Sequence, residues 1–470
     1  MSSEKRSRKN KKIPPKSFSK KKYRTISDLK NKIFFISLGC PRNLVDSEVM
    51  LGILLKSGYE ISQEMEKSDC IIINTCGFIK ESREEAIETI GQCIKKRKKG
   101  SKVIATGCMV QTHSKEIKAH YPEIDFLLGS GDIENILKAI ESPSQGEEIT
   151  SAKSYLENGE IPRIISTPPH LAYLKIAEGC RKRCSYCIIP NIKGDLESKN
   201  VEQILKEFQT LLKQGTKEII LIAQDLGDWG KDLGYRNGKG LIHLLREMLK
   251  VKKNYWLRLL YLYPDEIDKE LISLIKSDPR ICPYLDMPIQ HVNNEILKFM
   301  RRSTSKEKII SSIHALREEI PDISIRTSFI VGFPGETEEQ FKELEQFVKE
   351  YSLNHVGVFK YSKEAGSHAA TLPNQIDDSL KEKRYNRLMR IQKKNVEKQN
   401  KRFIGKKIQV LLEGYHPDSS LLMRGRHQGQ CADIDSIVII NDARKAKGFG
   451  EWHTVEITDT SSYDLIGKII

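Results

Sequence analysis

Three cysteines crowd into one loop. Cys180, Cys184 and Cys187 stand at C-x3-C-x2-C spacing directly after the apolar run Leu171 to Ala177. The run reads as a buried strand, so the thiols fall beyond its carboxyl end. Thiolates this close in sequence can wrap one small soft metal centre. An iron–sulfur cube normally takes one cysteine per iron. Three would leave one iron with an open corner, which implies chemistry rather than electron storage alone. Zinc is a competing reading, but a structural zinc site is closed by four ligands, and the next cysteine after Cys187 is Cys282. Plain buried thiols are the third reading; the crowding argues against it.

Upstream, strand and helix patterns alternate. Apolar runs at Ile33–Ser37, Cys70–Ile73, Val103–Ala105 and Phe126–Leu128 are separated by helical stretches, about 44–56, 81–98 and 132–140 among them. Such alternation predicts a parallel sheet with helices on both faces. Cys40, Cys76 and Cys108 each sit just beyond the carboxyl end of one of these strands. Those ends share one edge of a parallel sheet, where α/β folds bind ligands. Loops far apart in sequence can therefore converge on one centre. Three unrelated buried cysteines are the alternative, and the matched register weakens it.

Residues 142–168 are polar and broken by prolines and glycines, which reads as a linker. From 169 to about 397 the strand–helix pattern returns, with apolar runs at Leu171–Ala177, Glu218–Ala223, Trp256–Leu262, Tyr284–Ile289, Ile323–Val331 and Val356–Tyr361. Six such units predict an open TIM-like barrel, whose working residues come from the loops after the strands. The cysteine triplet occupies the first of these loops, Gln224-Asp225 the second, Gln290-His291 the fourth and Gly332-Phe333-Pro334-Gly335-Glu336 the fifth. The last lacks the Lys and Ser/Thr of a phosphate loop. Residues 377–401 read as a charged, solvated connecting helix. Beyond 403, short strand-like runs between glycine turns predict a small antiparallel barrel.

Charge bears on partners. Residues 1–32 hold 13 Lys+Arg against Glu4 and Asp28, a net of +11 out of +15, so the remaining residues carry only +4. The excess is a basic tail, expected to be disordered and solvated. Residues 403–470 hold eight Lys+Arg and nine Asp+Glu, a net of −1. An electrostatic RNA binder should be basic, so this barrel suits a basic protein partner better. The basic N-terminus lacks the apolar stretch of a secretory signal, and no run approaches the roughly 18 residues of a membrane span. Ten cysteines without an export signal indicate a reducing compartment, hence a cytoplasmic location. Cys70, Cys93, Cys282 and Cys431 are expected to be structural.

The motifs together resemble the radical S-adenosylmethionine (AdoMet) methylthiotransferases. They are Ser37-Leu38-Gly39-Cys40-Pro41-Arg42-Asn43-Leu44-Val45-Asp46-Ser47-Glu48, Asn74-Thr75-Cys76-Gly77-Phe78-Ile79, Thr106-Gly107-Cys108, the triplet through Cys187-Ile188-Ile189-Pro190, and residues 326–337. Within the family, Cys-Pro-basic-Asn after the first cysteine is similar to the RimO-type branch, which modifies the β-carbon of an aspartate in small-subunit ribosomal protein S-twelve. The MiaB-type branch, acting on tRNA adenosine, usually carries Cys-Gln-Met-Asn there. Lys193-Gly194 and Leu196-Glu197-Ser198-Lys199 depart from the branch's usual Arg-Gly and Arg-Ser-Arg, and Lys does not replace Arg at a bidentate site.

The resemblance implies a tail at 1–31, a cluster domain at 32–142, a linker at 143–168, a radical AdoMet domain at 169–401 and a TRAM barrel at 402–470. It implies two 4Fe-4S clusters, one on Cys40, Cys76 and Cys108 and one on Cys180, Cys184 and Cys187, with AdoMet as both methyl donor and radical source. Tyr186 is the expected AdoMet contact, and no side chain is assigned as a catalytic acid or base. Expected partners are the S-twelve protein, free or in the small subunit, an electron donor such as flavodoxin or ferredoxin, and a sulfur donor, with no membrane.

Overall fold

The computed structural model describes residues 31–150, 156, 162–236 and 239–470; the basic tail up to residue 30 and most of 151–161 lie outside them. The first layer comprises β1 (Lys32–Ser37), α1 (Pro41–Lys56), β2 (Glu60–Ile61), β3 (Cys70–Thr75), α2 (Lys80–Lys96), β4 (Lys102–Gly107), α3 (Cys108–His120), β5 (Phe126–Leu128), α4 (Ile136–Glu141) and β6 (Gly146–Glu148). The strands are parallel in the order β2-β1-β3-β4-β5-β6. β3 is buried along its whole length, which is why it reads as an unbroken apolar run rather than an alternating one. The order reverses between β1 and β3, and a ligand crevice opens at such a switch point. β6, within the polar stretch read as a linker, extends this sheet by pairing with β5.

The central layer runs β7 (Leu171–Lys175), β8 (Ala177–Glu178), α5 (Ile189–Lys193), β9 (Glu197–Ser198), α6 (Val201–Lys213), β10 (Glu218–Ile222), α7 (Lys239–Leu249), β11 (Trp256–Leu259), α8 (Lys269–Ser277), β12 (Ile281–Asp286), α9 (Asn294–Phe299), α10 (Lys306–Glu319), β13 (Ser324–Val331), α11 (Glu338–Tyr351), β14 (His355–Lys360) and α12 (Asp378–Asn400). Its six long strands form one parallel sheet in chain order, from β7 to β14, with both edges open. Successive residues face opposite ways. Ala172, Leu174, Ile219 and Leu221 pack outward among the helices. Leu171, Tyr173, Ile220 and Ile222 point into the lumen.

The lumen is filled from the third domain. Cys431 and Ala432 join those inward residues in one core. The Tyr173 hydroxyl reaches Asp433 (3.2 Å), Tyr284 donates to Asp435 (2.7 Å), and Arg258 donates to the Gln428 carbonyl (2.7 Å). Glu218, fully buried, takes both Arg258 and Arg426. The third domain itself is a closed barrel, ordered β15-β16-β17-β19-β18, built from β15 (Lys407–His416), β16 (Ser419–Arg426), β17 (Val438–Asp442), β18 (Trp452–Ser461) and β19 (Asp464–Ile469). Four of its ladders are antiparallel, but β17 and β19 pair in parallel. The barrel is antiparallel-rich, as expected, with one parallel ladder where the final strand closes the ring beside β17.

α12 is also not the solvated rod its composition suggests. It buries Lys381, Arg384, Leu388, Gln392 and Val396, and the Arg384 guanidinium pairs with the buried Glu336 at 2.9 Å. Among the described residues no helix is long and apolar enough to cross a membrane.

Candidate active site

The first cysteine trio is assembled by sheet register. Ser37 pairs with Asn74, and Asn74 with Thr106, so Cys40, Cys76 and Cys108 leave the sheet at one level. The loops are then fastened side to side. Asn43 donates to the Leu38 carbonyl (2.6 Å), and Asn74 donates to the Asn43 carbonyl and to the Ser47 hydroxyl (both 2.9 Å). Ser47 in turn donates to Ser37 at 2.7 Å. Gly39 has a left-handed φ of 89°, and a Cβ there would lie 2.7 Å from that of Cys76; only glycine lets these two loops approach so closely.

The acidic members of the same motif reach the connecting stretch and the central layer. Glu48 accepts from Arg163 (2.6 and 2.9 Å) and from the Ser166 backbone and hydroxyl. Asp46 takes Lys175 and Lys193, and both lysines also pair with Glu178 (3.2 and 2.9 Å). Lys193, which departs from the family pattern, therefore serves as a buried bridge. It reaches from Glu178, just before Cys180, towards Cys108, whose charge it also feels.

The second trio follows β7 and β8. The Cys184 sulfur lies 2.9 Å from the Tyr263 hydroxyl, and the Ile189 N–H donates to Cys187 at 3.4 Å. Arg302 donates to Tyr186 (3.2 Å), to Tyr263 (2.7 Å) and to the Pro288 carbonyl (2.6 Å). Its guanidinium also stacks 3.9 Å from the Tyr263 ring centre. Lys182 sits amid Asp225, Asp228 and Glu266 at 3.4–3.5 Å. Burial, then the Asp228 carboxylate, push Asp225 up to about 7.

Burial pushes Cys180 up to about 11, and Cys108 and Cys187 to about 12. Cys40 differs. Burial disfavours its thiolate, yet the Arg42 guanidinium and nearby backbone N–H groups hold it below the ordinary thiol value. Within each trio the thiols feel one another's charge. Among the described residues no group of three His, Cys, Asp or Glu side chains is arranged to hold a single metal ion; a cube instead takes one cysteine per iron. Six soft, unpaired, half-buried thiols in two sets of three fit two such cubes, and binding would strip their protons.

A cavity of about 320 Å³ opens on the second trio and is bordered by residues next to Cys40 and Cys76, though Cys40, Cys76 and Cys108 themselves do not line it. Cys180, Cys184, Cys187 and Tyr186 form part of its wall; so do Arg42, Phe78 and Ile79, which follow Cys40 and Cys76. Much of the rest is apolar or aromatic, including Ile189, Tyr261, Tyr263, Ile330, Phe359 and Tyr361. Two of its residues, Tyr261 (φ 61°) and Gln290 (φ 73°), hold left-handed backbone. Such strain in non-glycine residues concentrates at ligand sites. Gln224 and Gln290 line the cavity, whereas His291 is fully buried at 3.3 Å from Glu336. The expected structural cysteines, Cys70, Cys93, Cys282 and Cys431, are buried.

Sequence reasoning missed Tyr261, Tyr263, Lys182 and Arg302. The two tyrosines follow β11, so the barrel rule covers that loop too; Arg302 follows a helix and carries no strand-end signal.

The fold and the cavity-lining cysteine triplet define a radical AdoMet enzyme that carries a second set of three cysteines on its first sheet. Comparison with known proteins agrees. Residues 174–348 match the radical SAM superfamily, 404–470 the TRAM domain, and 32–129 an uncharacterized protein family, UPF0004. A radical AdoMet methyltransferase from Kitasatospora setae, TsrM, shares the fold with a TM-score of 0.53, at 15% identity over 70% of this chain and 74% of its own.

The ribosomal protein uS12 methylthiotransferase RimO of Protochlamydia amoebophila is 66% identical over 94% of this chain and 93% of its own. Those of Chlamydia caviae and Bdellovibrio bacteriovorus are 56% and 42% identical over 94% and 93% of this chain, and 96% and 97% of theirs. The chain belongs to the RimO family of radical AdoMet methylthiotransferases, enzymes that work with AdoMet and 4Fe-4S clusters.

Proposed function

We propose that this enzyme places a methylthio group on the β-carbon of an aspartate in ribosomal protein uS12. Cys180, Cys184 and Cys187 would hold the cluster that binds AdoMet, and Cys40, Cys76 and Cys108 the cluster that presents sulfur. One observation carries the reading: a single cavity whose wall holds the Cys180, Cys184 and Cys187 thiols together with Arg42, Phe78 and Ile79 from beside Cys40 and Cys76. When bound, the cofactors supply a reductively generated 5′-deoxyadenosyl radical at one end and a methylated sulfur at the other. The chain supplies placement. Tyr186, Tyr263 and Arg302 form a bonded triad beside Cys184 that fixes the AdoMet end. The aromatic wall keeps water from a radical. The Asp46–Lys175–Glu178–Lys193 cluster fixes one domain against the other.

The tRNA-adenosine alternative is not favoured, since relatives from 42% to 66% identity are uS12 enzymes. A one-electron donor such as flavodoxin or ferredoxin and a sulfur donor complete the stoichiometry, and a ribosomal substrate puts the work in the cytoplasm. The test is mass spectrometry of uS12, small subunits and tRNA after incubation with reconstituted enzyme, AdoMet and reductant. Methylthio-aspartate in uS12 supports the reading; methylthio-adenosine alone overturns it.

A further inference from the structure

Four cations line the cavity: Arg42, Lys182, Arg302 and Lys360. Lys182 and Lys360 already have carboxylate partners. Among the described residues, Arg42 and Arg302 have none. Arg302 is 7% exposed, and its Nε makes no hydrogen bond. Arg42 donates to the Ala223 carbonyl at 3.0 Å, lies 5.0 Å from the Tyr261 ring centre and touches Cys40. Most of its N–H donors remain for a ligand. Cationic side chains against an apolar wall call for anions.

The proposed reaction brings two carboxylates into this space: that of AdoMet and that of the aspartate. Arg302 stands among Tyr186, Tyr263 and Cys184, at the AdoMet end. Arg42 stands between the trios; its charge is felt by Cys40 and Cys76 on one side and Cys187 on the other. The reacting β-carbon must be within reach of both centres, and its carboxylate is one bond away. Building on the uS12 reading, we propose that Arg42 is the specificity-determining residue, binding the carboxylate of the target aspartate and so setting its β-carbon between the two sites.

The experiment compares intact, cluster-reconstituted wild type, Arg42→Met and Arg42→Lys. Each is given uS12 carrying the target aspartate and uS12 carrying asparagine at that position. Binding of both proteins to the loaded but unreduced enzymes is measured by calorimetry, with iron and sulfide content as the control for an intact centre. Wild type should prefer the aspartate protein. Arg42→Met should weaken its binding about 10- to 100-fold, the worth of a charged hydrogen bond, and bring the aspartate-to-asparagine ratio in kcat/KM close to one. Arg42→Lys should recover part of that ratio. An Arg42→Met enzyme that keeps the wild-type ratio overturns the inference. So does one that loses iron while binding the aspartate protein as wild type does. Wild type that fails to modify uS12 at all sinks the functional reading instead, so the two failures are distinct.

Discussion

Replacing Asp46 with Asn should unlock the two cluster domains. Asp46, Lys175, Glu178 and Lys193 are 1%, 0%, 2% and 7% exposed, and their charges cancel. The substitution takes away a carboxylate that two buried lysines share. Breaking a buried pair by removing one partner costs about 3–5 kcal/mol. At roughly 2–4 °C per kcal/mol for a unit of this size, the melting temperature should fall by roughly 10 °C. Adding Lys193→Met restores neutrality, so the double variant should regain much of the loss, with a coupling of about 2 kcal/mol in the cycle.

Scanning calorimetry of the reconstituted proteins reads both numbers. Product analysis adds a third: methylthio-aspartate formed per 5′-deoxyadenosine should drop in Asp46→Asn, because the two centres lose their fixed spacing. The sign with pH follows from the same charges. Burial raises the Asp46 pKa, but Lys175 and Lys193 outweigh it and leave it lowered. Its contribution is therefore present above the ordinary carboxylate value and is lost as pH falls towards the folded one. A single-variant cost below about 1 kcal/mol, or a double variant that merely sums the singles, refutes the locking role.

Cys184→Ala should abolish 5′-deoxyadenosine formation, whereas Cys76→Ala should retain it and stop sulfur insertion; chromatography of the nucleoside and mass analysis of uS12 separate the two. Gly39→Ala, with its Cβ driven against Cys76 at a left-handed φ, should cost about 1–2 kcal/mol and lower iron content at the first trio, read by iron analysis of a Cys184→Ala background. Glu207 and Glu413 are held at about 2: burial would raise them, but Lys199 and Arg163, and His170 and Arg426, outweigh it. Each should contribute up to about 3 kcal/mol near neutrality, lost as pH falls from about 4.5 towards 2; urea unfolding across that range checks it.

The strand ends were legible because a buried parallel strand is an unbroken apolar run, and six cysteines mark the same edge of two sheets. The motif from Cys40 to Glu48 was legible as a unit, but its division of labour was not. Asn43 and Ser47 fasten neighbouring loops, while Asp46 crosses to the central layer and Glu48 holds the connecting stretch at Arg163 and Ser166, and no local pattern distinguishes these roles. α12 shows the limit of composition: its buried positions recur at helical spacing, yet Lys381, Arg384 and Gln392 are polar, so the face reads as solvent. The segment around Cys431 gave no signal either. Its burial comes from a lumen built largely by strands more than a hundred residues upstream, and short polar residues such as Asp433 and Asp435 find Tyr173 and Tyr284 across that distance, Asp435 pairing with Arg326 and His355 as well.

The central claim is that the radical and the sulfur meet at one carbon inside one cavity. Supplying uS12 whose target aspartate carries deuterium on the β-carbon tests it directly. Mass spectrometry should find deuterium in 5′-deoxyadenosine in step with methylthiolation of that same carbon. Methylthiolated uS12 without deuterium in the nucleoside, or deuterium transfer with the sulfur on another residue, would contradict it.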